Sequence, residues 1–378
     1  MRSIVIRVVG NLTLLALLLT GDSFLNWSRR PSWMLYDGLA SLHQRWGQPP
    51  PAIRDIVLVG IDPETLQQVP ERWPYSRATF AKVMANLRHA NARAIGLDFI
   101  FFGASTPQED AALCDALAGG NLITLGATLT ETGGIEYSTL CGPRLRPRAG
   151  LVNKLQDSDG VTRSALTYLV QANPAYPRAR SFCWEMKLLE ASRHVDLASL
   201  SDEGRTLRLT GPDGERAIPV EPVTKAFLIH FRAHSGTFQR LSFSQVLTGH
   251  FDPRLIEDKI VLIGLLSEVL QDLHRTPIGW LPGITLNANA FLTLYAKDFL
   301  KSIPQTLEYL VIALGVCLMT IRGFRHPFLW AGALILAFLA ASELLLVAGY
   351  TWNYARFPAS VIFLAGLSRW LTKRRAET

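Results

Sequence analysis

Three almost wholly apolar runs lie close together near the C-terminus, at 304–321, 327–347 and 352–371. Each approaches the ~20 residues that a helix needs to cross ~30 Å of hydrocarbon. A fourth run, 4–19, follows Arg2 at the other end and is interrupted only by Arg7, Asn11 and Thr13. A signal peptide has a similar pattern, but no small-x-small cleavage site follows Leu19, and apolar character resumes at Phe24, Leu25 and Trp27. The preferred reading is an uncleaved anchor. The 49% hydrophobic content of the 378 residues is therefore organised rather than general.

Basic residues orient these segments. Arg322, Arg325 and His326 separate the first two C-terminal runs, uncharged Gly349, Tyr350 and Thr351 separate the last two, and Lys373, Arg374 and Arg375 follow the third. Positive residues mark the cytoplasmic side, and Tyr350, Trp352 and Tyr354 read as an aromatic belt on the outer side. Both termini are then cytoplasmic and the long middle lies outside, with Arg29 and Arg30 a mild violation. The expected layout is a transmembrane anchor over 1–27, a connector over 28–51, an extracytoplasmic α/β domain over 52–302, three membrane helices within 303–371 and a cytoplasmic tail at 372–378. The location implied is a membrane crossed several times, with the main domain on its extracytoplasmic side. Glu343 and Arg356 lie at similar distances from the last turn, so they are expected either to pair across the hairpin or contact a partner helix, or to reach for the interface.

Net charge is +7, but the arginines are scattered, with no basic stripe interleaved with aromatics, which argues against nucleic acid. Four cysteines occur, none in C-x-x-C spacing. Cys114 and Cys141 could bridge in an extracytoplasmic domain. The alternative, favoured because spacing does not set connectivity, is that Cys114, Cys141 and Cys183 are buried free thiols.

The middle of the chain has a different grammar. Apolar runs at 56–61, 94–97 and 260–264 read as strands buried on both faces, which requires helices on both sides of a mainly parallel sheet. Asp62 and Asp98 follow the first two runs directly. Asp62-Pro63 reads as a helix cap with proline at the first helical position. Ser76 reads as the cap of a helix carrying Phe80, Val83, Met84 and Leu87. A helix over 110–117 and a strand near 122–126 complete β-α-β-α-β. Beyond it come a helix at 182–189, a hairpin around Pro212-Asp213-Gly214, a strand at 227–231, a helix at 242–247 and a helix at 287–294 in which Asn287 and Asn289 are read as caps.

Several stretches of this middle region resemble a known family. They are Ile61-Asp62 with Arg72-Trp73-Pro74-Tyr75-Ser76-Arg77; Ile95-Gly96-Leu97-Asp98-Phe99 with Asp110; Asp157-Ser158-Asp159-Gly160-Val161-Thr162-Arg163; and Lys259-Ile260-Val261-Leu262-Ile263-Gly264 followed by Asp272, Thr276-Pro277, Pro282-Gly283 and Ala288-Asn289. In order and spacing they are similar to the type 2 cyclase/histidine-kinase-associated sensing extracellular domain of bacterial membrane receptors, over residues 50–300. Three trailing membrane helices fit that family's layout. Asn287 stands where many relatives carry histidine. The kinase or cyclase domain that usually follows is replaced by a short tail after Leu371. The resemblance implies a sensory input; output is then expected through helix contacts with a separate membrane or periplasmic partner protein.

The ligand crevice of an open parallel sheet lies at the carboxyl ends of its strands. Asp62 and Asp98, expected on adjacent strands, with Trp73, Arg77, Asp272 and Thr276, are the candidate residues for a small polar ligand or cation. The competing reading makes Asp62 a cap, Asp98 a cap or partner of Arg77, and Trp73-Pro74 a packing corner. Asp157-x-Asp159-Gly160 reads as a turn, since a calcium loop needs further oxygen ligands and a distal Glu. No G-x-G-x-x-G, P-loop, H-E-x-x-H or G-x-S-x-G occurs, so no enzyme, cofactor or metal is expected. A homo-oligomer and a structural docking role are the alternatives to test.

Overall fold

The computed structural model describes residues 2–118, 122–170, 180–321 and 326–377. Arg322 and Arg325 of the expected cytoplasmic connector lie outside the described residues. The chain divides into two compact units: Gln48–Phe299, and Met1–Gly47 together with Leu300–Thr378. The helical unit opens with α1 (Arg2–Leu25) and α2 (Arg29–Trp46). The stretch 28–51, expected as a connector, is therefore largely helix; Ser32, Tyr36, Leu39, Ala40 and His43, spaced three and four apart, form its buried stripe.

The other unit is α/β. Its elements run β1 (Ile56–Ile61), α3 (Pro63–Gln68), α4 (Arg77–His89), β2 (Ala94–Leu97), α5 (Pro107–Ala118), β3 (Ile123–Leu129), β4 (Ile135–Tyr137), β5 (Ala149–Leu151), α6 (Trp184–Arg193), β6 (Gln239–Ser242), α7 (Phe243–Thr248), β7 (Ile260–Leu265), a hairpin of β8 (Leu273–Thr276) and β9 (Gly279–Pro282), and α8 (Gly283–Tyr295). The seven-stranded sheet has the order β6-β1-β7-β2-β3-β4, with β5 pairing β3. All its pairings are parallel except β3 with β4. The expected hairpin is present as Thr206–Gly211 against Gly214–Pro219.

Alternation along the strands explains why both faces are covered. Ile56, Leu58, Ala94, Ile260 and Leu262 join a core with Trp184, Met186, Leu188 and Leu189 of α6 and with Ile284 and Phe291 of α8. Their neighbours Val57, Val59, Ile61, Ile95, Leu97, Val261 and Ile263 join a second core with α4, α5 and α7. At about 25 cal/mol per Å² of apolar surface, these two cores are the main stabilising term. Helix α6 lies very close to the sheet edge: a Cβ at Gly150 would stand 2.5 Å from the Trp184 Cα.

The order corrects one expectation. Asp62 and Asp98 are not on adjacent strands, because β7 pairs with both β1 and β2 and separates them. A third apolar strand of equal character competes for the central position, and parallel pairing brings it in from far along the chain. The thiols differ as well: Cys114 on α5 is bridged to Cys141, while Cys183 and Cys317 are free.

The helical unit closes with α9 (Gln305–Ile321), α10 (Pro327–Val347) and α11 (Arg356–Glu377). Two described helices are long and apolar enough to cross a membrane, Ile6–Leu25 within α1 and α10; the apolar stretch Gln305–Thr320 is shorter. Leu15, Leu19, Ile312, Val316, Phe338, Phe357 and Val361 form this unit's core.

Candidate functional site

The chain leaves β1 and β2 for helices on one face of the sheet, and leaves β7 for α8 on the other. Where neighbouring strands send their connections to opposite faces, a crevice opens at their carboxyl ends. Asp98 is the first residue beyond β2, and its N–H donates to the Ile263 carbonyl of β7 at 2.9 Å. Asp272 follows β7 and precedes the β8–β9 hairpin. Asn287, one turn into α8, donates from Nδ2 to Asp98 Oδ2 at 2.8 Å.

Asp272 also engages α8. Its carbonyl accepts from the Gly283 N–H at 2.9 Å, and a Cβ on Gly283 would lie 2.3 Å from its Oδ2. Only glycine fits there, so the carboxylate rests on the first turn, where the helix dipole favours negative charge. His274 Nε2 stands 3.1 Å from Asp272 Oδ1. Behind Asp98, Lys154 Nζ pairs with Glu185 Oε1 of α6 at 2.7 Å, both side chains being buried.

Asp98 keeps some accessible surface, but protein encloses it closely. Burial pushes its carboxyl up to about 7, and the negative charges of Asp272 and Glu185 add to the rise. Lys154 and the Asn287 hydrogen bond offset it only in part. The arrangement can hold a proton on Asp98 in the field of a second carboxylate. Among the described residues no group of three His, Cys, Asp or Glu side chains has the geometry to hold a metal ion.

The remaining sequence candidates lie elsewhere. Asp62 caps α3, accepting from the Thr65 N–H and Thr65 Oγ1, each at 2.8 Å, and from Ser242 Oγ at 2.7 Å. It thereby ties β1 to β6. Trp73 packs edge-on against Tyr75 with ring centroids 5.3 Å apart, and against Phe99 at 5.8 Å. Arg77 pairs with Asp110, not Asp98, and donates to the Gly103 and Phe102 carbonyls at 2.6 and 3.1 Å. Thr276 Oγ1 donates to the Gly279 carbonyl at 2.6 Å and closes the hairpin turn. Asn287 and Asn289 lie inside α8 rather than capping it, since the helix begins at Gly283. The Asp157–Asp159 turn serves Arg163, whose guanidinium meets Asp157 at 2.6 Å and Asp159 at 2.7 Å.

Of the six candidates, then, Asp98 and Asp272 are brought together, joined by Lys154, Glu185, His274 and Asn287. Glu185 had a sequence signal: a carboxylate set among Trp184, Met186, Leu188 and Leu189 on a helix that is buried almost all round. Lys154 had none.

In the helical unit, Glu343 and Arg356 do not pair. Arg356 Nε meets Asp22 Oδ2 of α1 at 2.7 Å and its Nη1 lies 3.3 Å from Glu308 of α9. Glu343 faces His43 of α2 at 3.5 Å. Asp22 also accepts from Ser28 Oγ at 2.6 Å, and Asn353 Nδ2 donates to Ser28 Oγ at 2.7 Å. A guanidinium with several donors satisfies two carboxylates at once, which one hairpin partner could not match.

No curated protein and no solved structure matches the chain. A family model described as the CHASE2 domain matches residues 11–321, most of its length. With that match spanning the α/β sheet and its carboxylate cluster, the chain belongs to the CHASE2 domain family, whose members are extracytoplasmic sensory domains.

Proposed function

We propose that this protein is a membrane-anchored sensory subunit. Its α/β unit lies outside the inner membrane, its helical unit spans the membrane four times with both termini in the cytoplasm, and it acts without catalysis. The signal passes through the helices to a separate partner protein. The observation that carries this reading is the grip of Asp98 and Asp272 on the first turn of α8, the last helix before the chain enters the helical unit at Leu300. A charge or ligand change in the crevice thus acts on an element covalently continuous with the membrane helices. Family membership and the Cys114–Cys141 bridge, expected in an oxidising compartment, support the location. On the helices, Gly332 and Gly366 have open space where a Cβ would stand, which suits close approach by a partner helix.

Two measurements test it. Reporter fusions at Thr378 and within the 212–214 turn should report opposite sides of the membrane. Spin labels on α9 and α11 of the full chain in nanodiscs should change separation when the crevice is titrated with candidate ligands or with acid. A stoichiometric partner captured without any such change supports a constitutive docking subunit instead.

A further inference from the structure

Among the described residues, Asp98 is the crevice carboxylate without an ion-pair partner. Lys154 and Glu185 neutralise each other at 2.7 Å, and His274 stands against Asp272 at 3.1 Å. Asp272 rests on the α8 N-terminus, the positive end of the helix dipole. Asp98 has no cation of its own: Arg77 is committed to Asp110, and the polar side chain bonded to Asp98 is neutral Asn287. From β2 and its neighbours, the charged groups facing Asp98 are Asp272, Lys154 and Glu185.

Helix α8 is suited to report on that charge. All thirteen of its residues are buried. Its far end is fastened by Tyr295, whose hydroxyl donates to Asp55 at 2.8 Å and accepts from Arg93 at 2.8 Å, and by Arg216 on the Leu294 carbonyl at 3.0 Å. Its middle is held by Asn289, which accepts from the Arg232 and Ala233 N–H groups at 2.9 and 3.1 Å. Its first turn meets the Asp272 carbonyl and carboxylate, with Thr285 Oγ1 2.7 Å from Ser235 Oγ, and Asn287 at the start of the next turn bonds Asp98.

We infer that the proton is a ligand of this crevice: the Asp98–Asp272 carboxylate pair takes up one proton as the outer medium acidifies, and the first turn of α8 tightens in response. With both groups ionised, like charges repel across that turn. With one proton bound, Asp98 is neutral and its O–H is available to an acceptor while Asn287 keeps its bond to the other oxygen. The position of Asp98 near neutrality agrees with this. The inference rests on the sensory reading above and specifies what is sensed.

The test is hydrogen exchange of residues 283–295 in the full chain in nanodiscs, between pH 5.5 and 8.5, corrected for intrinsic rates. Protection of the first turn should fall by about tenfold as pH rises through neutrality. Asp98→Asn should hold it at the acid level throughout. Asp272→Asn should lower the midpoint by about one unit by removing the like charge. His274→Gln should leave a transition in place, which separates the carboxylates from the imidazole. An unchanging first turn in the native protein overturns the inference, as does a transition that survives unshifted in both Asp98→Asn and Asp272→Asn; if Asp98→Asn does not fold, Asp272→Asn alone decides. A transition in α8 without any change between α9 and α11 keeps the proton site and removes the signalling role.

Discussion

Single residues show how burial turns ordinary side chains into determinants. Asp98 prefers its proton in the folded state, so its sign is opposite to that of an ion-paired carboxylate. Between its ordinary value of 3.8 and its folded value of about 7, the native state binds more protons than the unfolded one. Its contribution to stability is therefore greatest at low pH, falls as pH rises through that window and is level above it. The full span is on the order of 4 kcal/mol. Asp98→Asn should abolish this fall, measured as unfolding midpoints of the full chain from pH 5 to 8. Asp159, held at about 2 by the Arg163 guanidinium, acts the other way and loses its contribution only in acid. Arg356 is a different case. Removing it leaves Asp22 and Glu308 buried without their cation, so Arg356→Ala should cost about 3 kcal/mol, seen as a lowered thermal midpoint in detergent. Arg356→Lys should recover part of the loss, since one ammonium cannot serve both carboxylates with the same geometry.

At the level of elements, close approach and cross-links set the limits. Gly150 on β5 faces the backbone of α6 at Trp184, not a flexible side chain. Gly150→Ala must therefore displace the helix, and a loss of about 2 kcal/mol is expected in denaturant unfolding. The Cys114–Cys141 bridge closes a 27-residue separation between α5 and the loop before β5. In the loop-entropy account that is worth about 3.5 kcal/mol, so Cys114→Ser should lower the unfolding free energy by about that amount in denaturant titration, and reduction of the native chain should reproduce it. Most elements were legible in local sequence. The Asp62 and Ser76 caps, the stripe on α4 and the Pro212-Asp213-Gly214 turn all lie where expected, because their causes span only a few residues. The β8–β9 hairpin and strand β6 were not, being short and lacking strong alternation. Helix α2 was read as a connector because its buried stripe is narrow and partly polar.

Across the whole molecule, composition and runs of residues were enough to separate a doubly covered α/β region from apolar helices at the two ends, and to place Asp62 and Asp98 at the carboxyl ends of strands. Those properties depend on neighbours in the chain: period, caps, apolar length. Strand order, and with it the site, depends on contacts between distant segments. The insertion of β7 between β1 and β2 sets Asp62 two strands away from Asp98 and carries Asp272 and Asn287 to the latter. The same holds for Arg356, whose partners come from α1 and α9, the first and second of the apolar helices, rather than from its own hairpin. Electrostatic partners are chosen by three-dimensional proximity in a medium of low dielectric, where a charge must find whichever group folding brings within a few ångströms, and linear spacing contains no record of that choice.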